Sequence, residues 1–143
     1  NVYIGNSPLT LDAKGRMMIP AKHRDALMAE CEGQLYITRS PEGCLLLLPL
    51  PVWEKMAAQI VTWPSALSVW RRIYFSNAEP VTWDGAGRIL IPPALRAKAQ
   101  LDKNVELLGN GSHFEIWNAQ LSEQIEDEKL AGEKPEIIQN FTF

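Results

Sequence analysis

The sequence predicts an α+β fold in which two tandem copies of one half pack about a pseudo-two-fold axis, with flanking helices. Three observations carry this expectation. The chain matches itself at an offset of 72 residues, as in Asp12 and Asp84. Each copy alternates short apolar runs with glycine-containing turns, and the stretch between the copies places apolar residues at helical spacing.

The self-match aligns LTLDAKGRMMIPAKHR (9–24) with VTWDGAGRILIPPALR (81–96). Thr10/Thr82, Asp12/Asp84, Gly15/Gly87, Arg16/Arg88, Ile19/Ile91, Pro20/Pro92 and Arg24/Arg96 coincide, turn residues included, which signals duplication. The similarity continues more weakly in LYITRSPEGCLLLLP (35–49) and VELLGNGSHFEIWN (105–118), each a strand, a turn and a second strand. Each half therefore reads strand, tight turn, strand, short helix, strand, turn, strand, helix.

DAKGR and DGAGR have the form of a three-residue hairpin loop. Asp opens a type I turn and accepts from the backbone two residues on, and Gly supplies the left-handed conformation of a bulge. That geometry faces Asp12 with Arg16 and Asp84 with Arg88 across the hairpin mouth. Pro20 and Pro92 end a strand and suit a first helical turn, where a missing N–H costs nothing. The run from Cys44 to Pro49 reads as a buried strand. In PVWEKMAAQIV, Trp53, Met56, Ala57 and Ile60 share a helical face. After Trp63-Pro64, ALSVWRRIYF places Leu67, Trp70 and Tyr74 similarly. A half of about seventy residues is marginal as an independent unit, so the halves are expected to share one core. The expected division is a first half at 1–50, bridging helices at 51–78, a second half at 79–122 and an acidic tail at 123–143.

With 46% hydrophobic and 22% charged residues in 143, the composition is that of an ordinary soluble globular chain. The net charge of −3 points away from a broadly basic nucleic-acid binder. Its distribution matters more. In the tail Glu123, Glu126, Asp127, Glu128, Glu133 and Glu136 outnumber Lys129 and Lys134, and the remainder is close to neutral. Any electrostatic case must rest on local patches. Cys31 and Cys44 lack metal-ligand spacing and read as small buried groups in a reducing compartment. No basic-then-apolar segment opens the sequence and no apolar run is long enough to span a bilayer, so the expected setting is cytoplasmic.

The Asp–Arg pairs allow two readings. Each pair staples a surface turn, which contributes only about 0–1 kcal/mol for an exposed pair. Alternatively, Asp orients a guanidinium whose planar fork meets a phosphate or a guanine edge.

The pattern D-x-x-G-R-(apolar)-x-I-P-x-x-x-R resembles the signature of the SpoVT-AbrB-like DNA-binding domain, and a tandem pair of such domains resembles the MraZ family of bacterial transcriptional regulators. The likeness covers nearly the whole chain. It includes Gly5, Leu11 to Asp12, Lys14 to Arg16, Pro20, Arg24 and Leu27 in the first half. Arg71, Arg72, Phe75 and Ala78 match in the bridge. Asp84, Gly87, Arg88, Pro92, Leu95, Arg96, Gly109, Ile116 and Trp117 match in the second half. The resemblance implies a double-split β-barrel of interleaved AbrB-like halves and a homo-oligomeric ring. It implies binding to direct DNA repeats upstream of the cell-division and cell-wall gene cluster, the chain's own operon included, with association to the nucleoid. It assigns DNA contact to Asp12, Lys14, Arg16, Asp84 and Arg88. The second loop departs from the first in having Ala86 where the first has Lys14.

Other residues point elsewhere or nowhere. His23 and His113 read as surface or turn histidines, with no metal site. Asp12 and Asp84 each have an arginine partner that lowers the pKa, which suits neither for proton transfer near neutrality. No nucleophile–base set or phosphate-binding glycine loop is present, so neither an enzyme activity, a cofactor nor a small-molecule substrate is expected. The tryptophans occupy core-like positions, and Arg71-Arg72 serves either a phosphate contact or a solvated helix face. The competing function is an antitoxin-like protein-interaction module of the same superfold, whose tail would engage a partner. The tail lacks the long disordered apolar segment that such a role needs.

Overall fold

A computed structural model describes residues 2–143. The first copy runs β1 (Asn6–Thr10), β2 (Arg16–Met18), α1 (Ala21–Cys31), β3 (Leu35–Arg39), β4 (Leu45–Pro49) and α2 (Leu50–Ile60). A short 3-10 turn (Ser65–Leu67) and α3 (Ser68–Phe75) follow. The second copy repeats the order as β5 (Glu79–Val81), β6 (Arg88–Leu90), α4 (Pro93–Lys98), β7 (Asn104–Gly109), β8 (Phe114–Asn118) and α5 (Ala119–Ala131), before the short α6 (Glu136–Gln139). The chain is α+β, as its periodicities predict.

The strands form a six-stranded antiparallel sheet in the order β1-β7-β8-β4-β3-β5 and a separate two-stranded ladder, β2-β6. The copies exchange strands. β1 of the first lies on β7 of the second, and β5 of the second lies on β3 of the first. Between them β4 pairs with β8, Leu45 opposite Ile116 and Leu47 opposite Phe114.

This pairing corrects the hairpin expectation. The turn between β1 and β2 forms, but the two strands do not form a ladder with each other; they separate to partners in the other copy. Burial explains the choice. Met17, Ile19, Ile89 and Ile91, in or just after β2 and β6, are wholly buried over the large sheet. Each such side chain is worth roughly 1.5–3 kcal/mol, against about 0.5–1.5 kcal/mol net for a ladder hydrogen bond that is re-made elsewhere in any case.

The sheet separates two apolar clusters. Leu45, Leu47, Phe114, Ile116 and Leu107 join Met17, Ile19, Ile89 and Ile91 on one face. Cys44, Leu46, Leu48 and Trp117 lie on the other, under Trp53 and Met56 of α2, Tyr74 of α3 and Leu121 and Ile125 of α5. Every residue of β4 is buried for this reason: both faces of the strand are covered, so its apolar run is continuous instead of alternating. The face of α2 holds as expected. That of α3 does not, since Tyr74 packs inward while Leu67 and Trp70 are exposed, Trp70 by 50%. Along one face of α3, Tyr74 meets the sheet while Trp70, a turn earlier, stays exposed. Pro20 and Pro92 sit one residue earlier than a first-turn position, as N-caps of α1 and α4, and their carbonyls accept the first helical hydrogen bonds from Arg24 and Arg96.

Candidate nucleic-acid interface

The two Asp–Arg turns share one backbone design. In the first, Gly15 N donates to Asp12 O at 3.0 Å and Asp12 N donates to Arg16 O at 3.0 Å. Asp12 Oδ1 accepts from the amides of Lys14 and Arg16, each at 2.9 Å, and Oδ2 accepts from Arg16 Nε at 2.6 Å. In the second, Gly87 N donates to Asp84 O at 2.9 Å, and Asp84 Oδ1 accepts from Ala86 N at 2.9 Å and Arg88 N at 3.0 Å. Arg88 Nε donates to Asp84 Oδ2 at 3.2 Å. Gly15 and Gly87 have φ of 83° and 86°, the left-handed position that closes such a turn.

These carboxylates are organisers of backbone and guanidinium. The Arg16 amide, with the Arg16 guanidinium and the Lys14 amide in support, holds the Asp12 carboxyl down at about 2 against the opposing effect of partial burial. The Arg88 amide, helped by Ala86 N and the guanidinium, lowers that of Asp84 in the same way. Both are ionised across the neutral range, as their arginine partners predict, and neither can serve as a proton donor there.

The turns belong to one surface. β2 and β6 are antiparallel with Arg16 opposite Leu90 and Met18 opposite Arg88, so the turn that precedes each strand lies at the far end of the other. Arg88 Nη1 comes to 3.9 Å from Asp12 Oδ2, while its Nη2 is 3.2 Å from Asp84. Arg88 is thus held between two carboxylates, whereas Arg16 has Asp12 alone among the described ion pairs. Each arginine anchors to its own Asp through Nε, and the Nη atoms of Arg88 also face Asp84 and Asp12.

Arg24 and Arg96 were not among the residues expected to form the site, although their coincidence in the repeat was the available signal. Arg24 Nε donates to Ile19 O at 2.9 Å and Arg96 Nε to Ile91 O at 3.0 Å. Each guanidinium lies over the turn glycine of the other copy. A Cβ on Gly15 would stand 2.4 Å from Arg96 Cζ, and one on Gly87 2.7 Å from Arg24 Cζ. The amides of Ile19 and Ile91 donate to the carbonyls of Gly87 and Gly15, at 2.9 Å and 3.0 Å. These contacts fasten each turn to the opposite half. Around the turns Lys14, Arg16, Arg24, Arg88 and Arg96 outnumber Asp12 and Asp84, with Asp102 and Lys103 beside them cancelling.

Other candidates lie apart from this surface. Arg71 donates from Nη2 to Trp63 O, which ties α3 to the preceding loop on the opposite face of the sheet. His113 is half-buried in the turn between β7 and β8, as expected of a turn residue. His23 departs from the expected surface position. It is only 6% exposed, with its ring 4.8 Å from that of Phe114, and burial lowers its pKa. Its place on the inner side of α1, one residue before Arg24, forces it into the core. Cys44 is buried, its thiol pushed up to about 12 by loss of water, and Cys31 is half-buried. Among the described residues no group of three metal-ligating side chains occurs, and no helix is long and apolar enough to cross a membrane.

Fold and site together define a class: a duplicated, strand-exchanged α+β chain that presents two Asp–Arg turns on a short ladder. Within that class the chain belongs to the MraZ family, whose model, described as "MraZ protein, putative antitoxin-like", matches residues 2–72 and 74–136. Proteins named transcriptional regulator MraZ from Herminiimonas arsenicoxydans, from Janthinobacterium sp. (strain Marseille) and from Burkholderia mallei (strain SAVP1) are each 49% identical to it over 142 residues, covering 99% of this chain and 100% of theirs.

Proposed function

We propose that this chain is a sequence-specific DNA-binding transcriptional regulator. Its targets are direct repeats upstream of the cell-division and cell-wall gene cluster, its own operon included, and it works as a nucleoid-associated homo-oligomeric ring in the cytoplasm. Each protomer is a pseudo-two-fold double-split barrel with halves at 1–50 and 79–122, bridged by 51–78 and followed by an acidic segment at 123–143. DNA is met by Arg16, Lys14 and Arg88, with Asp12 and Asp84 holding the guanidinium groups in place. The observation that carries this is the union of both turns on one ladder, with each guanidinium held by its own Asp and a local excess of positive charge. The names of the relatives support the same reading.

Electrostatics then argues for assembly. With a formal net charge of −3, the chain has little positive charge to spare beyond this patch, so one copy neutralises few phosphates and binds weakly. Useful affinity needs several ladders engaged at once, each added engagement being intramolecular. Leu67, Val69 and Trp70, exposed on and beside α3, offer apolar surface for contact between protomers. A gel shift with DNA from upstream of the chain's own operon tests the reading: discrete complexes that resist random-sequence competitor are expected. Binding no tighter than to random DNA would overturn it.

A second reading as an antitoxin-like interaction module is favoured by one observation. The C-terminal segment, expected to lack the long disordered apolar stretch such a role needs, exposes Ile137, Ile138, Phe141 and Phe143. Removal of residues 133–143 separates the two functions, since operator binding should survive it while capture of a protein partner should not.

A further inference from the structure

Alternation along β2 and β6 leaves a feature that the turns do not explain. Met17 and Ile89 point into the core, so Arg16, Met18, Arg88 and Leu90 share the outer face of the ladder. An outer face is ordinarily polar, yet Met18 is 42% and Leu90 52% exposed. Neither belongs to the apolar clusters. The register places each of them directly opposite an arginine, Leu90 opposite Arg16 and Met18 opposite Arg88. Equivalent positions in the two copies thus both carry an exposed, unbranched-at-Cβ apolar side chain beside a guanidinium.

We infer that Met18 and Leu90 are specificity-determining residues that read thymine methyl groups in the major groove, while Arg16 and Arg88 beside them take guanine edges. The inference rests on the DNA-binding reading above and extends it from the turns to the strands. Three physical points support it. A two-stranded ribbon fits a B-DNA major groove about 12 Å wide. Only the major groove presents the thymine C5-methyl, and an apolar side chain is the natural partner for it. On each strand the apolar residue lies two positions from its arginine, about 6.6–6.8 Å along the ladder, and base pairs stack at about 3.4 Å. One strand therefore spans about two base-pair steps, reading a guanine and a thymine within that distance. The local positive charge of the patch complements the phosphates of DNA.

Replacement of thymine by deoxyuridine removes the methyl and nothing else, which gives a direct test. Wild type and the Met18→Ala/Leu90→Ala variant are titrated against duplexes from upstream of the chain's own operon, with thymine or with deoxyuridine in the repeats. Both substituted positions are exposed, and an unchanged melting curve confirms the fold. Wild type should weaken about four-fold for each contacted methyl lost, the factor expected for one buried methyl-sized group. The variant should bind the thymine duplex correspondingly more weakly and show no further loss with deoxyuridine. Equal sensitivity of wild type and variant to deoxyuridine, or none in wild type, would overturn the inference. A variant changed in oligomer size by light scattering but not in methyl sensitivity would assign the face to protomer contact instead. Arg16→Ala run in parallel separates the levels. If that variant loses operator binding while no methyl coupling appears, only the strand readout fails. If wild type does not prefer the operator, the DNA-binding reading itself fails.

Discussion

The two turns have nearly the same backbone and unequal charge. In each, an Asp accepts two amides and a guanidinium, and a left-handed glycine lies under an arginine from the other copy. The first turn adds Lys14, and its Arg16 has one carboxylate partner. The second has Ala86, and its Arg88 stands between Asp84 and Asp12. A duplicated fold keeps what its core requires, here the turn geometry and the cross-copy clamp. Cations that touch nothing inside the molecule are free to diverge, so the first turn should dominate DNA contact.

Removal of the guanidinium should have the largest effect. Arg16→Ala is expected to abolish specific binding with the fold intact, because a lost bidentate base contact costs roughly 1–3 kcal/mol per site and the loss compounds across protomers. Arg88→Ala should do less. Titration of both variants against the operator checks the ranking, and a larger loss for Arg88→Ala would invert the comparison.

Stability should treat the turns alike. Gly15→Ala and Gly87→Ala each force a side chain into a left-handed position and against the arginine clamp, for roughly 1–3 kcal/mol apiece in urea denaturation. If one substitution were neutral, the two backbones would not be equivalent in their demands. A smaller change sharpens the comparison from the other side. Ala86→Lys gives the second turn the cation it lacks and should raise the salt dependence of DNA binding by about one counterion per engaged protomer. No change in slope would mean that the second turn does not approach the phosphates.

Acid should act on the turns late and on the core early. The folded state lowers the pKa of His23 below its ordinary value of 6.5, so the fold favours the neutral ring and loses stability as pH falls below that value. Burial is the main cause, with Lys22 adding to it. Asp12, held at about 2 against an ordinary 3.8, contributes in full above 3.8 and loses that contribution only as pH falls towards 2. Tm should therefore be lower at pH 5 than at pH 7.5, and His23→Leu should reduce the difference. An unchanged difference in that variant would remove His23 from the account.

The sequence made the turns legible because their chemistry is local: Asp, Gly and Arg within five consecutive residues dictate the hydrogen bonds found between Asp12 and Arg16. The buried strand at Leu45–Pro49 and the face of α2 were legible from periodicity. The partners of β1 and β2 were not, because exchange between copies is set by long-range burial of Met17, Ile19, Ile89 and Ile91 and leaves no mark in the turn itself. Nor was the exposure of Trp70, since spacing alone puts it on the same helical face as the packed Tyr74. Arg24 and Arg96 were visible as repeated residues, but their clamp role needs the other copy in place.

The central claim is that Arg16-bearing ladders on several protomers engage repeated DNA sites together. Its most direct test is fluorescence anisotropy of wild type and Arg16→Ala on the natural upstream repeats and on a duplex with one repeat shifted by half a helical turn. Protomers along one face should meet sites spaced by about 10–10.5 bp or a multiple of it. The account predicts tight binding of wild type to the natural array, a steep loss on the shifted duplex, and no specific binding by Arg16→Ala to either. Equal affinity of wild type for the shifted duplex, or wild-type affinity in Arg16→Ala, would contradict it.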